Sequence, residues 1–329
     1  MPVKSIADIA QLAGVAKTTV SAVLNGRSEQ YRISPKTQEK ILGIVKEHNY
    51  RPNRVARSLR TNKTYSIGLI VPDLTNCFFS DLTTSIEAIA REAGYQVLIA
   101  SSEDEKETEI KVIENFMDFS VDGMIIASTL DDDELKSLIT AEIPVVFIDR
   151  EIPGNNYFSV TSDHYKGARE VISILAEDCD EIAFIGRGLE ISSAKDRYRA
   201  YEDVLKKNKI SLNKDIIRFT PDLISNGKKS LENIENKLGR LPKGLYTSSY
   251  VLLMGCLEYL SEKYGEIPSD LKIATFDNTR ELDFINVKIH SVSQDCPELA
   301  KASFSALMSY MSGKPKAATV TINPKVIRR

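Results

Sequence analysis

Apolar positions follow one rhythm over the first fifty residues and another from about Tyr65 onward. At the front, Ile6, Ile9, Ala10 and Ala13 recur at spacings of three and four, the stripe of a short helix. Ser5 stands before it as an N-cap, with Asp8 at the third helical position. Gly14 is placed to end that helix in the left-handed conformation. Lys17 then opens a second helix with Val20, Val23 and Leu24 facing inward. Ser34-Pro35 starts a third, in which Ile41, Ile44, Val45 and finally Tyr50 close a small core. Two short helices joined through a tight glycine turn predict a helix-turn-helix.

Asn53 is a fair N-cap for about two further turns carrying Arg54, Arg57 and Arg60 at spacing three. Val55, Ala56 and Leu59 share another face of that segment. So short a helix does not persist alone in water. It reads as a segment that folds on DNA, or else as a solvated basic linker.

From Tyr65 the pattern alternates short apolar runs with longer helical stretches. The runs are 66–71, 95–100, 123–126, 145–148, 182–185, 244–247 and 271–276, with helices between them. This βαβα grammar predicts parallel sheets covered on both faces, with ligands at the carboxyl ends of the strands. Two such series in about 265 residues predict twin subdomains facing a cleft. The expected division is a helix-turn-helix head over 1–50, a basic connecting segment over 51–63 and an α/β body over 64–329, which the family resemblance given below makes a hinge and an effector-binding, dimerising domain. Within the body the subdomains fall near 64–161 and 162–293, with crossovers and a shared C-terminal segment.

Charge sharpens this picture. The total of −3 hides an asymmetry: the first 63 residues hold 12 of the 43 Lys and Arg but 4 of the 46 Asp and Glu. A basic head on an acidic body is the electrostatic footprint of nucleic-acid binding. No run of eighteen apolar residues predicts a membrane span, and no apolar leader opens the chain, so a cytoplasmic location is expected. Cys77, Cys179, Cys256 and Cys296 have neither disulfide-frame nor metal spacing, and neither metal nor cofactor is expected.

The segments Asp8-Ile-Ala, Ala13-Gly-Val, Thr18-Thr-Val-Ser21, Asn25, Tyr50, Pro52-Asn53, Ala56 and Ser58-Leu59 resemble the lactose-repressor (LacI/GalR) family of bacterial regulators. The resemblance continues through Ile67-Gly-Leu-Ile-Val-Pro-Asp73, Asp122-Gly-Met-Ile-Ile126, Ala274-Thr-Phe-Asp277 and Ser293-Gln-Asp295, essentially the whole chain. The loop Gly26–Ser34, Tyr246-Thr-Ser-Ser249 and Ile267–Phe276 point to the fructose-repressor and sucrose-repressor branch. The resemblance implies a three-helix head with a hinge helix, then two doubly wound parallel α/β subdomains of periplasmic-binding-protein type. It also implies a sugar-responsive repressor that binds a near-palindromic operator as a homodimer.

On that resemblance, Lys17, Thr18 and Ala22 occupy base-facing positions of the second helix. Leu59 matches a wedge entering the minor groove at the centre of the operator. Ser5, Thr19, Ser21, Asn25, Tyr50 and Asn53 are polar groups able to position phosphates, with Asn25 equally suited to capping its own helix. The effector positions are Asp73, Asn76, Asp149, Arg197, Asp277 and Gln294, with Phe78 or Phe79 as an apolar face for a sugar ring. Arg150, Ser193 and the cation-rich stretch 187–199 form either a phosphate cradle or a solvated basic turn. Ser248 and Ser249 stand where many relatives carry an Asn-Asp pair, so a carboxylate partner is expected to be missing there. Fructose 1-phosphate or a related fructose compound is the expected effector, with unphosphorylated sucrose or fructose as the alternative.

Other classes find less support. Ser192-Ser-Ala-Lys195 is an S-x-x-K without companion motifs, Gly186-Arg-Gly188 a lone G-x-G, and His48, His164 and His290 read as surface or core filler. No catalysis is expected. A periplasmic-type sugar-binding protein lacks a reason for the basic head, and an effector-free architectural DNA binder lacks one for the long body. No leucine heptads follow the last strand, so a dimer is expected without a tetramerising tail.

Overall fold

A computed structural model of the chain describes residues 5–50, 63–139, 143–152, 157–313 and 318–329. It divides into two compact units, 1–64 and 65–329. The positions expected to form a hinge, Asn53, Arg54, Ala56, Arg57 and Leu59, lie outside the described residues.

The first unit contains α1 (Ile6–Ala13), α2 (Lys17–Leu24) and α3 (Pro35–Glu47). Ser5 caps α1 in a reciprocal capping box: its Oγ accepts from Asp8 N at 3.3 Å while its own N–H donates to Asp8 Oδ2 at 3.0 Å. Gly14 ends the helix at φ 68°, a conformation that glycine adopts without a Cβ penalty. Ser34 caps α3 ahead of Pro35. Ile9, Ala10, Ala13, Val20, Val23, Ile41 and Tyr50 form the buried core where the three helices meet.

The second unit is built on two six-stranded sheets. The first uses β1 (Ser66–Val71), β2 (Gln96–Ser101), β3 (Met124–Ile126), β4 (Val145–Ile148), β5 (Phe158–Ser162) and β11 (Thr319–Ile322), in the order β11-β5-β4-β3-β1-β2. The second uses β6 (Ile182–Gly186), β7 (Ile217–Phe219), β8 (Gly244–Thr247), β9 (Lys272–Phe276), β10 (Ile289–Ser293) and β12 (Lys325–Ile327), in the order β12-β10-β9-β8-β6-β7. Every pairing is parallel except that of β10 with β12.

Strand alternation sends side chains to both faces of each sheet. In β1, Leu69 and Val71 join one core with α4 (Cys77–Glu92) and α11 (Cys296–Met311), while Ile70 joins another with α5 (Lys106–Asp118) and α6 (Asp132–Leu138). The second sheet is sandwiched likewise, by α9 (Ile224–Leu238) and α10 (Tyr250–Tyr264) on one face and by α7 (His164–Asp178) and α8 (Ser192–Lys207) on the other. The chain crosses between the sheets three times, at β5 to α7, at β10 to α11 and at β11 to β12. Strand order reverses at β1 in one sheet and at β6 in the other, the switch points where such folds place ligands.

Candidate functional site

In the helical unit, α2 carries Lys17 and Thr18 on its exposed side, with Thr19 and Ser21 less deeply set than the core positions Val20 and Val23. Ala22 departs from the expected base-facing role. It is only 5% exposed, and its carbonyl accepts from Arg27 N where the chain turns after the helix end. Asn25 caps the helix: its Nδ2 donates to the Ser21 carbonyl at 2.7 Å. Tyr50 is buried among core residues, and Ser5 is engaged in its capping box, so both first serve the fold.

In the body, segments after six strands, β1, β4, β6, β7, β8 and β9, converge on a cleft between the two sheets. Asn76, Phe78 and Phe79 follow β1, Asp149 and Arg150 follow β4, Arg187 follows β6, Ser248 and Ser249 follow β8, and Asp277 follows β9. Ser193 and Arg197 reach in from the first turns of α8. The cleft encloses about 30 Å³ of free volume. Asn76 Oδ1 caps α4, and the Phe78 and Phe79 rings, 4.9 Å apart, give an apolar wall.

Arg197 is fixed on three sides. Its Nη1 donates to the Ser248 carbonyl at 2.6 Å, its Nη2 lies 3.2 Å from His164 Nδ1, and its guanidinium stacks 3.7 Å from the Phe276 ring. His164 Nε2 lies 3.1 Å from the Asp149 carbonyl oxygen. Burial, and then the Arg197 cation, hold the His164 pKa well below the ordinary imidazole value. The ring is therefore neutral, with Nε2–H donating to Asp149 and Nδ1 accepting from Arg197. Far from being filler, His164 holds both Arg197 and the backbone of Asp149.

Asp149 and Asp277 end corresponding strands of the two sheets, and both take left-handed backbone, at φ 67° and 71°. Such conformations are sparsely populated by non-glycine residues, and here they stand at the strand ends that border the cleft. Burial pushes both carboxyls above the usual range, against the pull of Arg197.

Two expected positions fall elsewhere. Asp73 accepts from Thr75 N at 2.7 Å and from Thr75 Oγ1, a turn within its own loop, and does not line the cleft. Gln294 lines an adjoining hollow of about 370 Å³ and acts on the cleft indirectly, its Nε2 donating to Asp277 Oδ1 at 2.7 Å.

The carboxylate expected to be missing near Ser248-Ser249 is supplied from another loop. Asp222, in the turn after β7, accepts from Ser249 Oγ at 2.8 Å and lines the cleft. Of the stretch 187–199, only Arg187, Ile191, Ser193, Ala194 and Arg197 line the cleft, while Arg199 pairs with Asp196 in solvent. Asp104, in the turn after β2, also escaped the sequence. Its carboxylate meets Arg150 Nη2 at 2.7 Å and also binds Arg187 Nη1. Burial would lift its pKa, but Arg150 and Arg187 together hold it below the usual range. The signal for Asp104 is its position after the apolar run 95–100, where this fold collects polar groups, whereas Asp222 follows the short Ile-Arg-Phe strand β7, which carries no such run.

Among the described residues no cluster of three or more His, Cys, Asp or Glu is arranged to hold a metal, and no helix is long and apolar enough to cross a membrane.

Residues 5–53 match the lacI family of bacterial regulatory proteins, and residues 67–315 match the periplasmic binding protein domain. A sucrose operon repressor from Klebsiella pneumoniae is 34% identical over 94% of this chain and 93% of its own length. A catabolite repressor/activator from Escherichia coli is 32% identical over 98% of this chain and 97% of its own. Among solved structures, the Cra regulator of Pseudomonas putida in complex with fructose 1-phosphate superposes with a TM-score of 0.74 at 27% identity, covering 80% of this chain and 98% of that one. With both its helical head and its two-sheet body matched, the chain belongs to the LacI family of bacterial regulatory proteins.

Proposed function

We propose that this protein is a transcriptional repressor of sugar metabolism whose operator affinity is set by a sugar phosphate in the cleft, with fructose 1-phosphate the first candidate. The observation that carries this reading is the set of three guanidiniums, Arg150, Arg187 and Arg197, gathered beside a phenylalanine wall and several carboxyls. Arg150 Nε and Nη1, Arg187 Nε and Arg197 Nε are buried without a hydrogen-bond partner. Unpaired buried donors are costly, and a phosphate's oxygens would satisfy them with charge-assisted bonds. The carboxyls and serine hydroxyls suit sugar hydroxyls, which both donate and accept. The P. putida relative, solved with fructose 1-phosphate, supports the choice. The carboxyl-rich lining and the K. pneumoniae sucrose operon repressor favour a second reading, in which the effector is unphosphorylated sucrose or fructose.

In the head, Lys17 and Thr18 read bases in the major groove, Lys17 by donating to guanine O6/N7. Leu59, Asn53, Arg54, Ala56 and Arg57 belong to the hinge segment proposed to engage the minor groove. Two copies, paired through the body, set two heads on a near-palindromic operator. The pairing surface in this reading is the apolar hollow that Ile224 and Phe284 line together, 48% and 73% exposed, with Leu223 beside Ile224 in the chain and 55% exposed. Effector binding realigns the subdomains and releases DNA, so operator binding weakens effector affinity by the same factor.

Calorimetric titration with fructose 1-phosphate, fructose 1,6-bisphosphate, glucose 6-phosphate, fructose and sucrose tests the reading. A phosphorylated fructose is expected to bind at least tenfold more tightly than fructose, and Arg197→Ala to abolish that binding while operator affinity survives. Binding of neutral sugars alone would transfer the assignment to the second reading.

A further inference from the structure

We infer that Asp104 is a resident anion: it occupies the place of the effector's phosphate between Arg150 and Arg187, ties the two subdomains across the cleft, and must be displaced for a phosphorylated effector to bind. The inference rests on the sugar-phosphate reading of the cleft and adds a residue that sets its selectivity.

The geometry is that of a bridged carboxylate. One oxygen of Asp104 accepts from Arg150 Nη2 at 2.7 Å, and the other accepts from Arg187 Nη1. Arg150 follows β4 of the first sheet and Arg187 follows β6 of the second, so the Asp104–Arg187 pair spans the cleft. The pair is largely dry, with side-chain exposures of 5% for Arg150, 15% for Arg187 and 23% for Asp104. At such sites a charge is held strongly by its partners and is costly to leave alone.

Asp104 is also held there against local preference. Glu103 and Asp104 are consecutive left-handed residues, at φ 55° and 57°. Neither is glycine, so the turn carries strain that the ion pairs offset.

Charge balance then requires an exchange, not an addition. Three guanidiniums, Arg150, Arg187 and Arg197, already face four carboxyls, Asp104, Asp149, Asp222 and Asp277. A phosphate monoester brings close to two further negative charges. With Asp104 in place it would meet cations that are already neutralised. With Asp104 swung out, it gains both bridged guanidiniums and reaches donors that a carboxylate leaves unsatisfied, Arg150 Nε and Nη1 and Arg187 Nε. A neutral sugar has nothing to exchange for Asp104, so the carboxylate discriminates in favour of anions able to replace it.

The test is Asp104→Asn in the full-length protein, with Asp104→Glu as the variant that keeps the charge. Fructose 1-phosphate, inorganic phosphate and fructose are titrated calorimetrically into each. A separate readout needs no ligand: spin labels at Lys111→Cys and Lys229→Cys, one exposed position in each subdomain, in a Cys77→Ser background, the other cysteines being buried. Asp104→Asn is expected to bind both phosphates at least tenfold more tightly than the wild type, to leave fructose within threefold, and to shift the label distances to longer and broader values. Asp104→Glu stays near the wild type in all three. Unchanged or weakened phosphate binding with unchanged distances overturns the inference and leaves the sugar-phosphate reading standing. If no phosphorylated compound binds the wild type, that reading falls and the distances alone decide: lengthening in Asp104→Asn upholds the bridge, and no change removes it.

Discussion

His164 carries a consequence that its place in the sequence conceals. It is the first residue of a helix, and its partners, Asp149 and Arg197, lie 15 and 33 positions away, so no local pattern links the three. In the folded chain the imidazole is buried and neutral. In the unfolded chain it takes a proton at its ordinary pKa near 6.5. Below that pH the unfolded state binds a proton that the folded state refuses, so stability falls as pH drops. One such group contributes up to about 1.4 kcal/mol per pH unit. Urea denaturation followed at pH values from about 7.5 to about 5, a span that brackets the ordinary imidazole pKa, is expected to show a shallower loss in His164→Gln than in the wild type. His290, whose pKa is also lowered by burial, contributes equally to both. Identical slopes would mean that His164 is not held neutral. Asp149, Arg150 and Asp277 were legible because each ends a strand visible as an apolar run. Asp104 and Asp222 were not, since what matters about them is which cation or hydroxyl another loop brings near.

At the scale of elements, the apolar runs and helical stripes locate most of the strands and helices, but not α11, nor β5, β7, β10, β11 and β12. The strand sequences explain why. β5 is Phe-Ser-Val-Thr-Ser and β10 is Ile-His-Ser-Val-Ser, and Ser159, Thr161, Ser162 and Ser291 are buried despite being polar. Apolar count therefore fails at strands bordering the crossovers, where a buried hydroxyl can bond to the neighbouring strand's end, as Thr161 Oγ1 does with the Asp149 carbonyl at 3.0 Å. The pairing of α9 with α10 shows another property that residue type conceals. A Cβ on Gly255 would stand 1.9 Å from the Ile224 carbonyl oxygen, and one on Gly227 would stand 2.2 Å from that of Leu252. The two helices touch backbone to backbone through these glycines. Gly255→Ala is expected to force them apart at a cost of about 1–3 kcal/mol. A lowered melting temperature with operator binding retained in the cold is the expected record, and an unchanged one would show that the contact yields freely.

For the whole molecule, the sequence disclosed the division of labour through charge, because the basic excess is confined to the head. It could not disclose the proposed pairing surface, where Ile224 lines one hollow with Phe284 of a short 3₁₀ turn about sixty residues further on. Phe284→Asp is expected to shift sedimentation from dimer to monomer at micromolar concentration. Operator affinity is expected to fall at least tenfold, since each monomer then grips a half-site alone. A variant that remained dimeric would place the interface elsewhere.

The small free volume of the cleft bears finally on timing. About 30 Å³ accommodates one or two water molecules, whereas sites for small organic ligands typically run to about 300–1,000 Å³. Entry between Arg150, Arg187 and Arg197 is therefore expected to follow a parting of the subdomains. In a rapid-mixing experiment the observed association rate should rise with effector concentration and then level off at the frequency of opening. That plateau, and not diffusion, would set the shortest interval in which a cell using this protein could register an abrupt change in its sugar supply.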